Sequence, residues 1–382
     1  MAFNAFLNPD QNLIVMKILF RYSALALFLS LSLLTAGAQQ NSGADSAARL
    51  IDTALSFAQK NSLYRASVNW KAVDDSVRKT AAGATSIRTA MPAMKLLYTM
   101  LKDHHGFVLH QNKYYKWSVP QPKLDTAVYR GLLKQIRQKN NAFAVMLEDG
   151  YGYLSIPDNN PTQWGDNDRI AAGIQDALNT LHPEKLKGLI LDLRLNPGGS
   201  MFPMLGGIMN VFGQGELGVF VDPVTKTGEH WGVREHRIYD GADTAYTLKR
   251  KLPDLQKLKI VVLIGPNTAS SGEATAISLK GRKNTWFVGE PSGGYTTSNQ
   301  SIQFSPTTGI FMAVSVESDR NGTIYLDNVK PDQTVVGGDN FEQLNQDLKV
   351  AAGLRWLKKS DQSWLHKVRS VVGQLVFNTS DK

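Results

Sequence analysis

The sequence predicts an α/β protein, a core of largely parallel strands and crossover helices preceded by a helical region. Three observations carry that reading. Apolar runs at 187–196, 260–265 and 285–290 are short, and helical segments separate them, the pattern of strand, crossover and strand. Residues 45–61 and 85–102 space their apolar side chains three and four apart, as amphipathic helices do. A chain of 382 residues with 42% hydrophobic and 20% charged content can also bury a sizeable core.

The elements follow in chain order. Residues 1–38 read as a secretory signal: Lys17 and Arg21 precede YSALALFLSLSLL, and Thr35-Ala36-Gly37-Ala38 supplies small residues before a cut after Ala38. Met16 is the expected true start. The apolar run is short for a membrane span. The expectation is therefore an exported chain, periplasmic or secreted, with no stable membrane span after cleavage. A helical region then occupies 39–140, the core 141–350, and a basic amphipathic helix 351–382. Within the core, 142–157 reads as a hairpin turning at Asp149-Gly150, 168–182 as a helix, and 200–213 as an apolar helical segment. Alternating residues over 299–335 read as further strands.

Composition removes several chemistries. The chain has no cysteine, which excludes a disulfide framework, a thiol nucleophile and a lipid-bearing cysteine. Its formal charge is +9, yet Lys and Arg are scattered without an arginine-rich run, so no nucleic-acid partner is expected. Nothing in the chain names an oligomeric state.

Two stretches carry chemistry. In LILDLRLNPGGS (189–200) a buried strand ends at Asn196-Pro197-Gly198-Gly199 before a helix. Without Cβ atoms the two glycines let backbone N–H groups approach a ligand, although a plain tight turn has the same sequence. In IVVLIGPNTASSGEATAISLKG (260–281) a second buried strand delivers Ser270 and Ser271 to the start of a helix. A serine there is exposed at the end of the sheet, with its loop N–H and the helix terminus available to a developing oxyanion. The residues alone equally suit a helix cap, with Ser270 as N-cap and Glu273 closing a capping box. A serine nucleophile needs a base, and His104 and His105, where a helix stops before Gly106, stand apart from the other histidines. On their own they read as helix C-terminal residues.

LDLRLNPGG, TASSGEATAISLKGRKNTWFVGEPSGG and LDNVKPDQTV, in that order, resemble the C-terminal processing and tail-specific serine peptidase family, whose members include the tricorn protease catalytic core. The resemblance implies a crotonase- and ClpP-like core of β-β-α units and peptide-bond hydrolysis without metal or organic cofactor. It places the nucleophile on Ser270 and the oxyanion donors on Gly198, Gly199 and Ser271. The lysine base of one branch would fall on Tyr295, which cannot serve, so the histidine-containing branch fits: His105 as base and Asp327 as the acid that orients it. His104 is the neighbouring alternative to His105. The 36 residues between His105 and Ala142 leave no room for a PDZ domain at that point. The implied partner is a peptide or protein substrate, and the competing reading is a non-hydrolytic ligand- or peptide-binding protein on the same fold. A histidine base implies activity rising with pH near the ordinary value of about 6.5.

Overall fold

A computed structural model describes residues 43–119, 123–161, 166–250 and 252–359. The expected signal at 1–38 lies outside the described residues, as does the expected C-terminal helix beyond 359.

Three helices open the described chain: α1 (Gly43–Asn61), α2 (Trp70–Ala81) and α3 (Ile87–Leu101). Asn69 caps α2 by accepting from the Ala72 N–H, and Ser86 with Thr89 forms the capping box of α3. Strands β1 (Phe107–His110) and β2 (Lys113–Tyr115) follow, then α4 (Arg130–Gln135). Next come β3 (Phe143–Met146), β4 (Tyr151–Ser155), α5 (Asp166–Asn179), β5 (Gly188–Asp192) and α6 (Met201–Gly207). Four strands, β6 (Gly215–Val221), β7 (Gly228–Arg234), β8 (Arg237–Asp240) and β9 (Asp243–Thr247), precede β10 (Lys259–Ile264). The chain continues through α7 (Ser271–Leu279), β11 (Thr285–Gly289), β12 (Thr297–Ser305), β13 (Thr308–Asp319), β14 (Ile324–Tyr325) and β15 (Gln333–Thr334). A last helix, α8, is described over 348–359.

One sheet runs β15-β11-β10-β5-β4-β3, parallel except for the antiparallel β3 at its edge. Its strands alternate between two packed faces. Leu189, Leu191, Ile260, Val262 and Ile264 pack towards α5, α6 and α7, whereas Ile190, Val261, Leu263 and Val288 pack towards α8. Each such fully buried side chain contributes roughly 1.5–3 kcal/mol. The second sheet runs β2-β1-β13-β6-β7-β8-β9, with β12 and β14 also pairing to β13. Helices α1–α3 cover part of it: Leu50, Met91, Met94 and Leu97 pack with Val108, Ile310 and Met312. The helical region is thus continuous with the core through β1, which pairs antiparallel with β13. The described residues within 107–142 form β1, β2 and α4.

A buried charge network fastens the chain beyond β15 to the first sheet. The Arg194 guanidinium, 1% exposed, lies 2.6 Å from Asp192, 2.7 Å from Asp339 and 2.8 Å from Asp347. Lys349 lies 3.0 Å from both Glu290 and Asp339.

Candidate active site

The histidine arm begins where α3 stops. Lys102 turns the chain in the left-handed region, and the buried Asp103 carboxylate accepts from the His105 N–H (3.0 Å), the Gly106 N–H (2.7 Å) and the Ala313 N–H of β13 (3.1 Å). Gly106 is required, since a Cβ there would stand 2.3 Å from Asp103 Oδ2.

The serine arm is a turn between β10 and α7. Thr268 Oγ1 donates to Leu193 O at 2.9 Å, and the Ala269 N–H donates to Asn196 O at 3.0 Å, tying the turn to the preceding strand connection. Ser270 then adopts φ +52° and ψ −124°, a conformation costly for a residue with a side chain. Glu273 holds it there. Its Oε2 accepts from the Ser270 N–H and the Tyr295 N–H, both at 2.8 Å, while Oε1 accepts from Ser292 Oγ (2.5 Å) and the Gly294 N–H (2.9 Å). Burial raises the Glu273 carboxyl pKa, and these four hydrogen bonds oppose the shift.

The two arms meet. His105 Nε2 lies 3.0 Å from Ser270 Oγ across 165 residues of sequence, and His105 Nδ1 lies 2.7 Å from Thr297 Oγ1 of β12. The imidazole is 9% exposed, with the Tyr295 ring edge-on at 5.3 Å. Burial, reinforced by the neighbouring His104 and Lys116, pushes the His105 pKa down to about 3. This departs from the ordinary value expected from sequence, because the imidazolium would lose its water. His104 points elsewhere: its Nε2 lies 3.0 Å from the Gly294 carbonyl oxygen, which can only accept.

The glycine turn closes the other flank of the serine. A Cβ on Gly198 would stand 2.9 Å from Ser270 Cβ, and one on Gly199 only 1.4 Å from Asn159 O. The Gly198 N–H donates to Asn196 Oδ1 at 3.0 Å, so it is engaged within the protein. The N–H groups of Gly199 and Ser271 have no acceptor among the described residues. Ser271 Oγ donates to Gly199 O at 2.9 Å and holds the two donor segments side by side.

Asp327 departs from the expectation. It is exposed in the connection between β14 and β15, and no hydrogen bond joins it to His105. The Nδ1 position that an orienting acid would occupy is filled by Thr297. The sequence reading assigned Asp103 no role, and it assigned Glu273 only the closing of a capping box, which its bond to the Ser270 N–H fulfils; the bonds to Ser292, Gly294 and Tyr295 were not foreseen. Asp103 precedes the histidine pair, and its place just after a helix stop is the one local signal that could have found it. Thr297 has none, since a threonine in an alternating strand is ordinary. Among the described residues, no group of three or more histidines and carboxylates is disposed to hold a metal ion.

The structure thus sets a serine hydroxyl against a buried imidazole at a strand-to-helix turn of an α/β fold. Residues 150–335 match the model of peptidase family S41, and the chain is similar to C-terminal processing peptidases. It is 25% identical over 281 residues to the nisin-resistance protein of Lactococcus lactis subsp. lactis, covering 72% of this chain and 79% of that one. It is 29% identical over 180 residues to the carboxy-terminal-processing protease of Bartonella bacilliformis, covering 47% of this chain but 36% of that protein's length. In fold it resembles a lipoprotein from Streptococcus agalactiae, with a TM-score of 0.62 and 20% identity over 84% of this chain and 97% of that one.

Proposed function

We propose that the chain is an exported serine peptidase in which Ser270 is the nucleophile and His105 the general base. The observation that carries this reading is the 3.0 Å approach of His105 Nε2 to the hydroxyl of a serine held in a strained turn. Burial keeps the His105 imidazole neutral, with a lone pair free for the Ser270 proton, although the lowered pKa makes it a weaker base than an ordinary histidine. With Nδ1–H donating to Thr297 Oγ1, the Nε2 lone pair faces Ser270, the tautomer a base needs.

The Ser270 proton passes to His105 Nε2 as Oγ bonds to the substrate carbonyl carbon. The carbonyl oxygen becomes an oxyanion between the N–H groups of Gly199 and Ser271, at the N-terminus of α7. His105 then returns the proton to the leaving amine as the C–N bond breaks, leaving an acyl-serine that water attacks by the same path. Asp327 has no part in this scheme. Thr297 is a positioning residue, and its neutral hydroxyl stabilises the transient imidazolium less than a carboxylate would.

A fluorophosphonate is expected to label the mature chain at Ser270, and Ser270→Ala is expected to abolish labelling. A wild-type chain that binds peptides yet stays unlabelled would favour the non-hydrolytic reading. Export is supported by the sequence of residues 1–38, and mass analysis of the mature chain is expected to find Gln39 at its start. No helix among the described residues is long and apolar enough to cross a membrane.

A further inference from the structure

We infer that the cleft beside the glycine turn receives the acyl side of the substrate and selects peptides with uncharged polar side chains just before the cut. The inference rests on the Ser270–His105 reading above and extends it to substrate class. The cleft has a volume of about 550 Å³, and its wall includes Pro197 of the glycine turn, Asn267 of the nucleophile turn and Asn159, which bridges to Gly199. Asn141, Asn160 and Lys139 line it further out.

Its placement follows from the proton's path. The group that takes the serine proton must later hand it to the leaving amine, so the leaving group departs on the imidazole side. That side of Ser270 is occupied by His105, Tyr295 and the residues before β12. On the other flank Gly198 packs against Ser270 Cβ, and Pro197 and Asn267 lead from there into the cleft. The part of the substrate that stays bonded to the serine therefore has the cleft before it.

Side-chain amides dominate its lining, beside the aliphatic Ile136, Ile170 and Leu195. Asn141 and Asn160 have no side-chain hydrogen-bond partner among the described residues, whereas Asn159 and Asn267 are anchored to Ser200 O and Arg194 O at 3.1 Å each. Each amide offers both a donor and an acceptor, which suits an amide or hydroxyl on the substrate. Charge gives little preference of sign: Lys139, Arg169 and Asp158 line the cleft, and Arg169 is paired at 3.0 Å with Asp166, which lies outside the lining. An apolar side chain would displace water from these amides without replacing its hydrogen bonds.

The test uses the full mature chain and peptidyl diphenyl phosphonates, which modify a nucleophilic serine while presenting only acyl-side residues. Two probes differ in carrying Gln or Leu at the two positions before the phosphorus, and the rate of Ser270 modification is read by mass spectrometry. The Gln probe is expected to react about tenfold faster. The double variant Asn141→Leu/Asn160→Leu should bring the ratio to about one. Should the double variant fail to fold, Asn160→Ala replaces it and should lower the ratio. Equal or faster reaction of the Leu probe with the wild type overturns the inference, as does a Gln preference that survives the substitutions. Failure of a small alkyl fluorophosphonate to modify wild-type Ser270 would instead overturn the nucleophile assignment beneath it.

Discussion

Ser270 stores strain at the point where chemistry is proposed. A residue in its backbone conformation costs roughly 1–3 kcal/mol, and here the clamp through Glu273 opposes relaxation. His105 is fixed on both ring nitrogens, and its two contacts separate the roles of nearby residues. Thr297→Val keeps the shape but removes the Nδ1 partner, and should lower kcat by about tenfold to a hundredfold, with Thr297→Ser restoring most of it. Asp327→Asn should stay within about twofold of wild type in the same peptidase assay, and a large loss there would return Asp327 to the mechanism. His105→Ala should abolish turnover, while His104→Ala, which loses only a contact to Gly294 O, should retain most of it. The pH dependence has a definite sign. Because burial lowers the His105 pKa, the base stays deprotonated in acid where an ordinary histidine would be charged. The rising limb of kcat/KM should therefore lie well below about 6.5. A limb at the ordinary value would mean that the imidazole is hydrated in the free enzyme. The same shift works against folding in acid, since below about 6.5 the unfolded chain takes up a proton that native His105 refuses.

At the scale of elements, the strand-to-helix junctions matter more than the strands themselves. Gly199, at φ +116° and with Asn159 O where a Cβ would be, allows the turn to lie flat beside Ser271. Gly199→Ala should cost at least about a hundredfold in kcat by displacing an oxyanion donor, with little change in KM if the cleft is intact. Both junctions were readable because each is local: an apolar run, a break in pattern and a helix start fall within about twenty residues. The hairpin at Asp149-Gly150 and helices α1, α3, α5 and α7 were readable for the same reason. The strands β6–β9 were not, and the ladder explains it. Register shifts beside Glu216 and Ile238 break the alternation that marks a strand, and residues 228–230 of β7 are all exposed. Strands β1 and β2 were hidden because four- and three-residue segments carry too little periodicity, and pairing with β13 is what makes β1 a strand.

Across the whole molecule, the Arg194 network joins the active-site sheet to the segment leading into α8. Burial would lower the Arg194 pKa, but Asp192 and Asp347 hold it well above the ordinary value. Arg194→Leu would leave Asp192, Asp339 and Asp347 buried together without their cation, and should cost about 3–5 kcal/mol of stability in a urea titration. A loss below about 1 kcal/mol would show that Lys349 and water compensate. The helices α1–α3 have a further role set only by the assembled fold. By packing on β1 and β13 they carry the His105 turn to the serine from the far end of the chain. The sequence by itself determined the α/β class and the two junctions, because each is written in residues close together along the chain, and it nominated Ser270 and His105 only through the family resemblance. Only the tertiary structure decided what faces the second nitrogen of His105, why that imidazole stays neutral and which backbone donors remain free. Those properties depend on burial and on contacts spanning as many as 192 residues, and no local pattern records them.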